Sequence, residues 1–91
     1  MEFRWDPVKD KKLIQERGVS ASDLMDAVLT ENLIAVTAHP KRANQVLIFF
    51  HKNGYVYVAA CVEEGAGTYF IKTIYPSRKA QKRYCKLPPS L

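Results

Sequence analysis

The stretch Gln45–Val62, "QVLIFFHKNGYVYVAACV", decides the fold. Two runs of β-branched and aromatic residues flank Asn53-Gly54, and that dipeptide suits a type I′ turn because both central positions need positive φ. A two-residue loop leaves one register, in which Lys52 faces Tyr55, His51 faces Val56, Phe50 faces Tyr57, Phe49 faces Val58 and Leu47 faces Ala60. Side chains alternate along a strand. One face of the hairpin therefore carries Leu47, Phe49, His51, Val56, Val58, Ala60 and Val62, and the other Val46, Ile48, Phe50, Lys52, Tyr55, Tyr57, Ala59 and Cys61. Both faces are largely apolar, which is unusual for a sheet with one side in water. The more uniformly aliphatic first face is expected beneath the helices. The second, with its tyrosines and lysine, is either lightly covered or a surface for RNA bases or a protein. A sheet covered on both sides, by the helices and by the C-terminal segment, is the alternative.

Working outward, "LIAVTA" (33–38) and "TYFIKTI" (68–74) have the same strand composition, and no helix separates the runs. The result is a four-stranded antiparallel meander. "EEGAG" (63–67) is a flexible loop that leaves the register of the last strand, and so the face of Lys72, open. Upstream, Ser20–Asp23 reads as a capping-box start, with Ala21, Leu24, Met25 and Val28 following at helical spacing as an apolar stripe. Asp6-Pro7 and Gly18 bound an earlier, more polar helix over Pro7–Arg17, and Phe3 and Trp5 alternate as in a short first strand. After Tyr75-Pro76 the strand must end, because proline lacks a donor. Ser77 then caps a last helix in which Ala80 and Tyr84 share one face, Lys79 and Arg83 another, and Arg78 and Lys82 a third. The fold class is α+β: a short N-terminal strand, two helices, a four-stranded antiparallel meander and a short basic C-terminal helix. In 91 residues there is room for one domain, drawn at 1–87 with a flexible tail at 88–91.

Composition is that of a globular chain, 47% hydrophobic and 25% charged, which excludes disorder and a disulfide scaffold. The net charge of +5 is unevenly placed. From Gly65 onward there are six basic residues (Lys72, Arg78, Lys79, Lys82, Arg83, Lys86) and no acidic one, whereas the preceding part has eight basic and nine acidic. Such asymmetry suits a polyanion on one surface, with a basic tail kept for solubility or an acidic protein as the plainer alternative. Cys61 and Cys85 have no metal or redox spacing and are expected to be reduced thiols. The start "MEFRWDPVKD" lacks a signal-peptide core, and no run approaches the roughly 18 apolar residues of a membrane span, so a soluble cytoplasmic protein without a membrane partner is expected.

Two local motifs meet on this element order. "EFRWDPVK" with "GVS" matches at Glu2, Phe3, Trp5, Asp6, Pro7, Lys9, Gly18, Val19 and Ser20, and "SRKA" matches at Arg78, Lys79 and Ala80. Together they resemble the BrnT toxins of toxin–antitoxin systems, in the RelE-like ribonuclease superfamily. The first motif is mostly structural: strand, cap, proline and helix stop. The chain departs from the family pattern at Pro76, in a shorter basic segment, and at Glu16-Arg17 before the glycine.

The resemblance implies an endoribonuclease acting on mRNA, either free or on the ribosome, with a cognate antitoxin protein as partner and no cofactor or metal. The ribose 2′-OH would attack the adjacent phosphorus, which requires a base, cations for the developing phosphoryl charge, and a proton for the leaving oxygen. Arg78 is the first candidate for the phosphate because its planar fork suits that group, and Lys79 is the second. His51, at a strand end, is the candidate base because the imidazole side chain is the type suited to proton transfer at neutral pH, and His39 in its loop is an alternative phosphate contact. Lys72, Tyr75, Ser77, Lys82, Arg83, Tyr84, Lys41, Arg42 and Lys52 complete the candidate RNA-binding set. The competing readings are a noncatalytic RNA-binding module, favoured by the lack of a clear acid–base pair, and a protein-binding domain using the aromatic sheet face.

Overall fold

The computed structural model describes residues 1–84; Cys85, Lys86 and the tail expected at 88–91 lie outside the described residues. The order is β1 (Glu2–Arg4), α1 (Pro7–Arg17), α2 (Ala21–Leu29), β2 (Leu33–Ala38), β3 (Gln45–Lys52), β4 (Tyr55–Gly65), β5 (Thr68–Pro76) and α3 (Arg78–Tyr84). The α+β expectation and the antiparallel meander β2–β5 hold. β1 adds to the meander in parallel along β5, so the five-stranded sheet is mixed, in the order β1-β5-β4-β3-β2. Among the described residues, no helix is long and apolar enough to cross a membrane.

Local chemistry explains the elements. Asp6 Oδ1 accepts from the Val8 N–H at 2.9 Å, Pro7 occupies the first turn of α1, and Gly18 closes it at φ 66°, its N–H donating to the Ile14 carbonyl. Asp23 Oδ2 accepts from the Ser20 N–H at 2.8 Å, and Asp10 of α1 caps the first amide of α2, accepting from the Ala21 N–H at 2.7 Å. The end of α1 thus leads directly into the α2 cap, and the Asp10 bond fixes the angle between the helices. Asn53 and Gly54 take φ of 52° and 77°, as a type I′ turn requires, and β3 and β4 pair in the register read from the sequence.

Two expectations are corrected. The face that α1 and α2 cover is the one with Ile48, Phe50, Ala59 and Cys61, which join Leu13, Val19, Leu24, Ile71 and Ile74 in the main core. The aliphatic face, with Val56 and Val58, lies under α3, against Ala80 and Tyr84. The polar groups that marked the other face as solvent-facing sit at the hairpin end, where they meet the helix termini. Lys52 Nζ donates to the Gly18 carbonyl and pairs with Asp23 at 2.8 Å. The stripe of α2 is also rotated: Ala21, Leu24 and Ala27 are buried, while Met25 is exposed. Alanine at two of these positions lets the helix approach the bulky Phe50 and Ile48.

Both faces of the central strands are therefore covered, the alternative weighed from the sequence. The last helix is tied to β4 at one residue. Ser77 N–H donates to the Val56 carbonyl at 3.1 Å, and the Val56 N–H donates to Gln81 Oε1 at 2.8 Å. Ser77 also caps α3 as read, its Oγ accepting from the Ala80 N–H at 3.1 Å.

Candidate functional site

α3 packs on the sheet through Ala80 and Tyr84, and beside it opens a groove of about 480 Å³. The floor is Leu47, Phe49 and Val58, one wall is Thr37, Ala38 and Pro40 at the end of β2, and the other is Tyr75, Ser77, Lys79, Ala80, Arg83 and Tyr84. Lys79 and Arg83 are one helical turn apart, so both cations reach the same groove. The Phe49 and Tyr84 rings lie 5.1 Å apart and tilted by 47°, and the Arg83 guanidinium carbon sits 5.7 Å from the Tyr84 ring centroid. The arrangement sets a cationic rim above an aromatic and aliphatic floor. Cations on a flexible rim hold phosphate, and aromatic faces hold unstacked bases of a single strand.

The candidates read from the sequence divide here. Lys79, Arg83, Tyr75, Ser77 and Tyr84 line the groove. Arg78 and Lys82 are exposed on α3 outside that lining, so the first-choice phosphate residue does not face the groove and the second does. Lys72 is the extra residue of a bulge, since Ala60 pairs with Thr73 and Cys61 with Ile71, and its Nζ lies 5.8 Å from the Phe70 ring centroid. Lys52 stands on the opposite side of the sheet from the groove, and its ammonium contacts the helix ends at Asp23 and the Gly18 carbonyl.

Neither histidine lines the groove. His51 is half-buried on the α3 side, paired with Val56 at the hairpin end. His39 Nδ1 accepts from the Lys41 and Arg42 amides at 3.0 and 3.1 Å, which places the hydrogen of a neutral ring on Nε2 and shapes the loop that carries Pro40. Lys41 and Arg42 themselves are exposed on that loop. Sequence reading missed Thr37, Ala38, Pro40, Leu47, Phe49, Val58 and Ala80. The register already put Phe49 beside Val58, and a correct assignment of faces would have found it.

The described cysteine, Cys61, is fully buried in the main core, and burial pushes its thiol up to about 12, so it is inert as a nucleophile near neutrality.

This fold, a sheet with two helices on one side and a basic helix packed on the other, is one used by a ribonuclease toxin. That protein is BrnT of Brucella abortus, whose crystal structure at 1.1 Å matches 85% of this chain and 96% of its own length with a TM-score of 0.64. The sequences are 18% identical, so the likeness is one of fold. No family model matches the chain, and no curated protein matches it in sequence.

Proposed function

We propose that the chain is the toxin of a toxin–antitoxin pair, an endoribonuclease that takes single-stranded mRNA along the groove between α3 and the sheet. The observation that carries this reading is the placement of Lys79 and Arg83 on the rim of an aromatic groove, in a fold shared with a ribonuclease toxin. Lys79 and Arg83 hold the phosphate of the strand in the groove, and Arg78, Lys82, Lys41 and Arg42 contact flanking phosphates from the surrounding surface. Phe49 and Tyr84 stack a base. Cleavage proceeds by attack of the 2′-OH on phosphorus without a metal, with the cations stabilising the developing charge. The 2′-OH proton passes to His51, which stands on the same side of the sheet but outside the groove lining, through an intervening water, and a tyrosine hydroxyl or Lys79 returns one to the leaving oxygen. An antitoxin protein acts by covering the basic rim, and the cytoplasm is where such a pair works.

The placement of both imidazoles outside the groove favours one second reading, an RNA-binding module that does not cut. A single experiment divides the two. The purified chain is incubated with a defined mRNA in EDTA, alone and with ribosomes, beside Lys79→Ala, Arg83→Ala and His51→Gln. Cleavage that survives EDTA, falls in the α3 variants and falls again in His51→Gln supports the ribonuclease. RNA binding without cleavage under every condition leaves the binding module.

A further inference from the structure

Residues 39–44 join β2 to β3 and carry one wall of the groove at Pro40. Backbone bonds pin both ends of this loop. The His39 N–H donates to the Gln45 carbonyl at 2.9 Å, and the Glu63 N–H donates to the Asn44 carbonyl at 2.8 Å. Asn44 makes the closing turn at φ 63°. Between the ends the chain has less to hold it. Proline has no N–H, so the first amides able to donate after His39 are those of Lys41 and Arg42, both exposed residues. The two converge on one atom, His39 Nδ1, at 3.0 and 3.1 Å, and neither has another partner among the described residues.

A carbonyl oxygen in that place would accept at any pH. An imidazole nitrogen accepts only while it is unprotonated, and in the cationic ring both nitrogens are donors. A proton on Nδ1 therefore removes the acceptor and sets one N–H against two others. His39 is half-buried, so the ring remains open to solvent protons. The charged groups around it are Lys41 and Arg42 on its own loop, and Lys79 and Arg83 of α3 across the groove from Pro40. β3 brings the neutral Gln45 to that end of the hairpin. From β4, Glu63 pairs with Tyr69 on the side of the two long helices, and Glu64 pairs with Arg4. No carboxylate bonds the ring among the described residues, so an ion pair does not replace the lost contacts.

We propose that His39 is the positioning residue of this wall, a clasp that is closed while Nδ1 is unprotonated and released when the ring takes a proton. On release Pro40, Lys41 and Arg42 lose their fixed placement. A strand must then reorder them as it binds, and its affinity falls with the fraction of closed loop. That consequence rests on the groove taking RNA as proposed above; the clasp itself does not. The sign separates this role from the phosphate contact expected of His39 in the sequence, because a cationic ring touching phosphate strengthens binding as pH falls.

The test follows the full chain by NMR, and by fluorescence anisotropy with oligouridylate, over about pH 8 to 5, the interval in which histidine as a residue type changes charge. Uracil takes up no proton there. His39→Asn puts an oxygen where Nδ1 stands and keeps the acceptor throughout, whereas His39→Ala removes it. At the alkaline end the wild-type ring should carry its hydrogen on Nε2, read from the shifts of its two nitrogens. As pH falls, the Lys41 and Arg42 amide resonances should move with the same midpoint as the His39 ring, and should stay still in His39→Asn. Wild-type affinity divided by that of His39→Asn at the same pH cancels His51, and this ratio should drop about fivefold, the worth of one net hydrogen bond. His39→Ala should bind as the acid form does at every pH. A hydrogen on Nδ1 at the alkaline end, or amides that ignore the titration of the ring, overturns the clasp. A ratio that stays flat or rises as pH falls overturns the positioning role, and a rise makes His39 a phosphate contact. If the chain binds no RNA at any pH, the reading of the groove fails, and the amide titration still decides the clasp.

Discussion

Removing the acceptor at Gln81 should release α3 from the sheet. Val56 is fully buried, and its N–H has Gln81 Oε1 as partner at 2.8 Å. Gln81→Leu keeps the side-chain bulk and leaves that donor unmatched, at a cost of about 1–3 kcal/mol against a total stability of roughly 5–15. α3 is seven residues long and cannot persist as an isolated helix, so part of the loss should appear as local opening. Urea denaturation reads the global part as a lower midpoint with an unchanged slope. Hydrogen exchange at the Val56 and Ala80 amides reads the local part, since both depend on α3 being docked. Gln81→Glu supplies the control because a carboxylate still accepts the bond, and its protection at Val56 should match the wild type. If Gln81→Leu leaves both the midpoint and Val56 exchange unchanged, the reasoning fails and α3 is held by the packing of Ala80 and Tyr84 alone. If Gln81→Glu opens as readily as Gln81→Leu, the bond is not what matters.

Three other outcomes are expected. Lys79→Ala and Arg83→Ala should each lower the salt dependence of single-stranded RNA binding by about 0.7 in the log–log slope, measured by fluorescence anisotropy, if each neutralises one phosphate. Lys52→Met should leave RNA binding unchanged and cost about 1 kcal/mol in denaturation, because its ammonium, partly shielded from solvent, serves Asp23 and Gly18 on the other side of the sheet. Cys61 gives a pH signature: its thiol lies near 9.0 when unfolded and about 12 when folded. As pH rises past the lower value the unfolded chain loses the proton first, so stability present at neutral pH falls, by roughly 1 kcal/mol near pH 10. Comparison with Cys61→Ala isolates this slope, which should vanish in the variant.

Most element bounds and the hairpin register were legible in the sequence because the signals that set them act over a few residues; the end of β4 was not, since Glu63 to Gly65, expected in a flexible loop, continue the strand and pair with β5. Asp6 reaches the Val8 amide, Ser77 reaches the Ala80 amide, and Asn53-Gly54 requires no distant partner to turn the chain. The division of α3 into a face with Lys79 and Arg83 and another with Ala80 follows from helical period in the same way. The sequence could not say which face of the sheet each helix takes. Both faces are apolar, and the choice rests on contacts between residues far apart in the chain: Lys52 with Gly18 and Asp23, and Gln81 and Ser77 with Val56. The contacts of Gln81 and Ser77 with Val56 dock α3 on the sheet, with Lys79 and not Arg78 lining the groove and Phe49 against Tyr84. Local chemistry thus set the elements and named the basic helix, and tertiary docking alone decided which of its cations stands over the groove.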